Sequence, residues 1–218
     1  MQFHSIWLYA ALFGAIIFPL MRLRGYYAIR PFIKTIMAVM LAAYCFITPN
    51  TPLYIMALGF ILSALGDFFI DIPDDKGFTP GLFAFFAAHV AFIVHLWPIM
   101  ISLADFTSTN YIICAAVIIS SLAYYLWTRP SLDKDLVIPT ALYTIVIGMM
   151  GVTAFNTTAI SPLVPLGAFL FMASDVVLSI EKFKHKFWAA KEINWVLYAG
   201  GQFLLAIGTV ASVGGIST

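Results

Sequence analysis

Every one of the eleven lysines and arginines in this chain falls at alternate breaks between long apolar runs. Arg22, Arg24, Arg30 and Lys34 cluster at the first break, Lys76 at the next such position, Arg129 and Lys134 at the third, and Lys182, Lys184, Lys186 and Lys191 at the fourth. The intervening breaks, near residues 49–51, 101–109 and 156–160, hold no basic residue, and neither do the two ends. Strict alternation of this kind constrains the fold strongly. If each apolar run crosses a bilayer, basic residues collect on one side, which the positive-inside rule makes cytoplasmic. Only an even number of crossings preserves the pattern, with both termini on the non-cytoplasmic side.

The runs themselves suit that reading. Hydrophobic residues make up 62% of the chain and charged residues 10%, against about 25% charged in a soluble domain. At about 20 apolar residues per crossing, the sequence predicts eight helices, near 4–21, 31–48, 52–72, 78–100, 110–127, 136–155, 160–180 and 193–213. Turn signals separate them: Thr48-Pro49-Asn50-Thr51-Pro52, Asp71 to Pro80, Thr128-Arg129-Pro130-Ser131, Asn156-Thr157-Thr158 and the charged stretch Glu181 to Glu192. The expectation is an all-α polytopic membrane protein with residues 1–218 as a single transmembrane domain. The first run lacks the basic flank and small-residue cleavage site of a signal peptide and reads as a helix. Cys45 and Cys114 both fall inside runs, which offers neither a disulfide framework nor a metal spacing.

Two acids interrupt this apolar background. Gly59-Phe-Ile-Leu-Ser-Ala-Leu-Gly-Asp67 aligns without gaps on Gly167-Ala-Phe-Leu-Phe-Met-Ala-Ser-Asp175, in the third and seventh helices. The two segments lie four helices apart and run in the same direction, as in a duplicated four-helix unit. An ionised acid near a bilayer centre costs at least ~2.5 kcal/mol, so such residues face a bundle interior or a cavity and mark function. At ~1.5 Å per residue, Asp67 is expected about 8 Å inside the cytoplasmic end of its helix, with Asp175 at similar depth and His89 about 16 Å in from the same side. These depths predict that the three meet. The eighth helix adds Asn194, Tyr198 and Gln202 on one face, and the third adds Ser63, Asp67 and Asp71, while Lys34 enters from the second.

Each residue also has a plain structural reading. The aspartates can fix helix packing by pairing with Arg30 or Lys34, His89 can be a satisfied interhelical hydrogen bonder, and Ser63 and Ser174 can bond helix backbone. The functional reading is favoured for the acids. One carboxyl kept protonated beside an ionised partner provides an acid and a base at neutral pH. A divalent ion held by His89, Asp67 and Asp175 stays open as an alternative. Arg30 and Lys34, one turn apart, are candidates for a lipid phosphate. No nucleophile elbow, nucleotide fingerprint or zinc protease motif occurs, so no cofactor and no nucleic acid partner are expected.

Four of these motifs, in order, carry a family resemblance: Leu62-Ser63-x-x-Gly66-Asp67, Gly81-Leu82-Phe83-x-Phe85-x-x-Ala88-His89, Gly167-Ala168-x-x-Phe171-x-x-Ser174-Asp175 followed by Phe183, and Tyr198-x-x-x-Gln202. The chain resembles the YhhN-type lysoplasmalogenase family, with Arg30-Pro31-x-x-Lys34 a looser match. The resemblance implies eight spans and hydrolysis of the vinyl ether bond of lysoplasmalogens to a fatty aldehyde and a glycerophospho-alcohol, with no cofactor. It implies a catalytic set of Asp67, Asp175 and His89, and a lysophospholipid held by Arg30, Lys34, Ser63, Ser174, Tyr198 and Gln202. Membrane lipids are the other expected partners, in a membrane expected to be a bacterial inner membrane. Two other classes compete. A proton-coupled transporter needs a polar path to both faces, yet Asp105 is the only charge on the outer side. A non-catalytic lipid-binding membrane protein would tolerate Asp→Asn changes.

Overall fold

The structure, a computed structural model, describes residues 2–23, 28–48, 53–72, 76–157 and 161–214. Among these, eight α-helices account for nearly all the chain and no β-strand occurs. They are α1 (Gln2–Leu23), α2 (Arg30–Phe46), α3 (Tyr54–Ile70), α4 (Phe78–Leu96), α5 (Ser108–Thr128), α6 (Lys134–Phe155), α7 (Leu163–Phe183) and α8 (Ala190–Gly214). Each falls on one of the eight predicted apolar runs. Arg24 and the Pro49–Pro52 turn lie outside the described residues.

Local sequence fixes several ends. Pro31 opens α2 at a position where its missing N–H costs nothing. A capping box starts α5: the Thr107 amide donates to Asn110 Oδ1 at 2.9 Å, and the Thr107 side chain accepts from the amide of Asn110. At the other end of α5, Lys184 Nζ donates to the Trp127 carbonyl at 2.6 Å and sits 4.5 Å from the centre of its ring. That contact satisfies a carbonyl which the helix terminus leaves unpaired and adds a cation–π attraction.

Among the described residues six helices, α1 and α4 through α8, are long and apolar enough to cross a membrane. Helix α3 is apolar but has 17 residues, and α2 has 17 as well. The chain is thus a multi-pass helical membrane protein. Its many exposed isoleucines, leucines and phenylalanines, including Ile112, Ile119, Leu126, Ile138 and Phe169, are what a lipid-facing surface requires, since in hydrocarbon they carry no hydration cost.

The helices form two compact units. The first comprises α1, α2, α3, α4 as far as His95, and the end of α8 from Thr209. Within it α2 packs against both α1 and α3. Two glycines seat α4 on α3: a Cβ on Gly59 would lie 2.3 Å from the Phe92 ring, and one on Gly66 would lie 2.6 Å from the Phe85 ring.

The second unit comprises residues 96–208. Here α6 packs against α5 and α7. At one end of α5 and α6, buried Asn110 donates from Nδ2 to Asn156 Oδ1 at 2.9 Å, and Asn156 Nδ2 donates to the Val152 carbonyl at 2.7 Å. Helices α7 and α8 touch backbone to backbone. A Cβ on Gly167 would lie 2.7 Å from the Leu205 amide nitrogen, and one on Gly201 would lie 2.8 Å from the Phe171 nitrogen. Neither neighbour is a flexible side-chain tip, so Gly201→Val is expected to lower stability by about 1–3 kcal/mol through overpacking. A fall in the melting temperature of the purified protein checks this, and an unchanged value would contradict the close approach.

Candidate active site

The candidate residues divide between the two units. In the first, α2 and α3 run antiparallel and carry matched pairs of charges one turn apart. Arg30 Nε lies 2.6 Å from Asp71 Oδ2, and Lys34 Nζ lies 3.4 Å from Asp67 Oδ1. Because the i, i+4 spacing recurs on both helices, one register satisfies both rungs. The Asp67 side chain is 1% exposed, while Lys34 and Arg30 keep 13% and 19% of their surface accessible. A buried carboxylate needs such a partner, since an isolated ionised acid in apolar surroundings is strongly disfavoured. Ser63, one turn before Asp67, is fully buried, and its Oγ has no hydrogen-bond partner among the described residues. His89 is also fully buried, with its ring centre 6.3 Å from that of Phe92.

In the second unit Asp175 is half-buried on α7, and Tyr143 of α6 donates its hydroxyl to Asp175 Oδ2 at 2.6 Å. One turn further along α7, Tyr124 of α5 bonds the Ser179 hydroxyl and donates to the Val176 carbonyl at 3.2 Å. Ser174 is buried and donates to the Phe171 carbonyl at 2.7 Å, the backbone bond common for serine in membrane helices. Its own carbonyl accepts from Asn194 Nδ2 of α8 at 2.7 Å. Tyr198 packs edge-on against Phe171, with centroids 5.3 Å apart. Gln202 is fully buried, and neither end of its amide has a hydrogen-bond partner among the described residues.

The structure therefore pairs Lys34 with Asp67 and sets Asn194 and Tyr198 of α8 against α7. Arg30 is engaged by Asp71, which the sequence offered only as part of a polar stripe. Tyr143 and Tyr124 went unmarked: each is one of ten tyrosines, and nothing in an apolar helix distinguishes a tyrosine that bonds an acid from one that packs. The aspartates also differ in their distance from the helix ends. Asp67 stands three residues before the end of α3 and Asp175 eight before the end of α7, because α7 continues through the polar Glu181-Lys182-Phe183 segment. Among the described residues no group of three or more His, Cys, Asp or Glu side chains is placed to hold a metal ion.

A groove of about 480 Å³ runs along α5 and α6, lined by residues that include Ile118, Leu122, Ile145, Gly148 and Met149. Ile118, Leu122, Ile145 and Met149 are exposed, and on α6 it follows positions 141, 144, 145, 148, 149, 152 and 153, a set centred on a different face from Tyr143 at about 100° per residue. It belongs to the lipid-facing surface, and none of the candidate residues lines it.

Titratable side chains set into apolar helices, one acid paired with an ammonium and another with a phenol, define a multi-pass membrane protein with ionisable groups among its apolar helices. Within that class the chain belongs to the YhhN family, which matches residues 29–209. It is 31% identical over 193 residues to a protein named lysoplasmalogenase in Mycobacterium bovis, and equally to one in Mycobacterium tuberculosis, covering 87% of this chain and 74% of each relative. No solved structure matches the chain.

Proposed function

We propose that the protein is a lysoplasmalogenase that hydrolyses the vinyl ether of a lysophospholipid by carboxylate acid–base catalysis. The observation that carries the reading is the 31% identity, over 87% of the chain, to two proteins of that name. The arrangement of acids supports the chemistry. A carboxylic acid delivers a proton to the β-carbon of the enol ether, where the new C–H bond forms. The C=C π electrons and the ether oxygen leave an oxocarbenium ion at the adjacent carbon. Water adds there and gives its proton to a carboxylate. The hemiacetal hydroxyl then gives its proton to a carboxylate as its C=O forms, the bond to the glycerol oxygen breaks, that oxygen takes up a proton, and fatty aldehyde departs. Two carboxyl groups suffice, as they do at the oxocarbenium-like state of glycosidases.

In this reading Asp67 and Asp175 share the acid and base roles, and residues 1–218 work as one catalytic domain. His89 and Tyr198 position water or acid, and Ser63, Ser174 and Gln202 contact substrate. The unsatisfied amide of Gln202 and hydroxyl of Ser63 support this, because buried polar groups without partners are rare and call for a water or a ligand. Arg30 and Lys34, with their accessible edges, meet the phosphate near the cytoplasmic surface, which leaves the scissile bond just below the headgroup. The same reading has α2 and α3 cross the membrane. At ~25 Å each they are short for a hydrocarbon core of ~30 Å, yet 17 residues is within the observed range. Eight crossings place both termini outside, in a bacterial inner membrane. The α3 and α7 match supports descent from one four-helix unit.

The test compares lysoplasmenyl-ethanolamine with its saturated alkyl-ether counterpart, using purified protein without added metal. The vinyl ether is expected to release aldehyde and the alkyl ether to remain intact, because it has no π bond to protonate. Equal cleavage of both would overturn the carbon-protonation chemistry. Release from neither, with the protein folded, would return weight to transport or lipid binding.

A further inference from the structure

We infer that Tyr143 is a positioning residue for Asp175, its phenol holding the carboxyl in the orientation used for proton transfer. The inference rests on the lysoplasmalogenase reading for its kinetic consequence, but the bond itself stands on geometry. At 2.6 Å the contact is in the short range of hydrogen bonds to carboxylates. It joins neighbouring helices α6 and α7, within a unit where α6 packs on α7, and so links the acid to a different helix from its own.

The local frame leaves little slack around this acid. Val176 and Ser179, next along α7, are tied to Tyr124 of α5, and Ser174 immediately before it is tied to Asn194 of α8. The α7 backbone is therefore anchored on both sides of Asp175, and the Tyr143 bond restrains rotation of its carboxyl. An aspartate free to rotate would present either oxygen in a range of directions, and misplacement of about 1 Å in a reacting group costs on the order of 10²-fold in rate.

Tyr143→Phe removes the hydroxyl and keeps the ring. We expect kcat for aldehyde release to fall roughly 10- to 100-fold with KM within about twofold, the split expected when ground-state binding is untouched. On an Asp175→Asn background the same change is expected to cause no further loss, since Tyr143 acts through the group already removed. Unchanged kcat in the single variant, or losses that multiply in the double variant, would overturn the inference. Infrared difference spectra of wild type against Asp175→Asn isolate the Asp175 carboxyl band, and that band is expected to shift in Y143F. This arm reads the bond whether or not the protein cleaves a vinyl ether, so its failure is distinct from failure of the enzymatic reading. Should Y143F not accumulate, the phenol band in Asp175→Ala, which has no side-chain acceptor, reports the same contact from the other side, and an unshifted band there would overturn it.

Discussion

Asp67→Asn and Asp175→Asn are each expected to reduce aldehyde release by about 10²–10⁴-fold, the range typical for loss of a general acid or base. Asparagine matches aspartate in shape, so the loss reports the missing proton chemistry rather than a cavity. The two variants are expected to part in stability. At Asp175 the amide oxygen can still accept from Tyr143, whose hydroxyl donates at 2.6 Å, and the melting temperature should stay near that of wild type. At Asp67 the amide leaves the Lys34 ammonium, 3.4 Å away, facing a neutral group in apolar surroundings, and the protein should melt lower. Activity assays beside thermal unfolding check both halves. Activity retained in both variants would dismiss the carboxylate pair.

Lys34→Met carries the second large effect. Deleting one partner of a buried ion pair costs about 3–5 kcal/mol, because the remaining charge has lost its compensation, whereas replacing both partners is often neutral. Lys34→Met alone should therefore destabilise the α2–α3 unit by about 3 kcal/mol. The double variant Lys34→Met, Asp67→Asn should recover much of that loss in thermal unfolding and remain inactive. That outcome would separate the two roles proposed for Asp67, pairing with Lys34 for the fold and proton chemistry for turnover. If the double variant were no more stable than the single ones, the ion pair would not be what holds these helices in register.

Much of this architecture is legible in the sequence because lipid enforces a simple grammar. Each crossing needs an apolar run of nearly fixed length, and each break needs polar, proline or glycine residues, so the eight helices fall where the runs do. The match between the α3 and α7 segments also has a physical counterpart. Gly59 and Gly167, eight residues before their aspartates, each admit the following helix closely, through the Phe92 ring in α4 and the backbone of α8 respectively.

Pairings are harder to read. Arg30 with Asp71 and Lys34 with Asp67 follow from two i, i+4 charge pairs on antiparallel helices, a pattern visible only once α2 and α3 are known to be neighbours in that register. The sequence offers Arg30 and Lys34 both as partners of the aspartates and as ligands for a phosphate, and in the structure each forms an ion pair with an acid. Tyr143 lies further from reach still. Its partner is 32 positions away on another helix, and its own surroundings, Ala141-Leu142 and Thr144-Ile145, mark it as packing.

The most direct measurement runs the reaction of purified protein with lysoplasmenyl-ethanolamine in deuterated water and traps the aldehyde as it forms for mass analysis. Protonation of the enol ether carbon by a carboxyl that exchanges with solvent predicts one deuterium on the carbon next to the aldehyde carbonyl. A parallel run in ¹⁸O-water predicts no label in the glycerol fragment, since the bond that breaks joins the aldehyde carbon to the glycerol oxygen. Aldehyde formed without deuterium at that carbon, or ¹⁸O in the glycerol fragment, would contradict carboxylate-driven protonation of the vinyl ether.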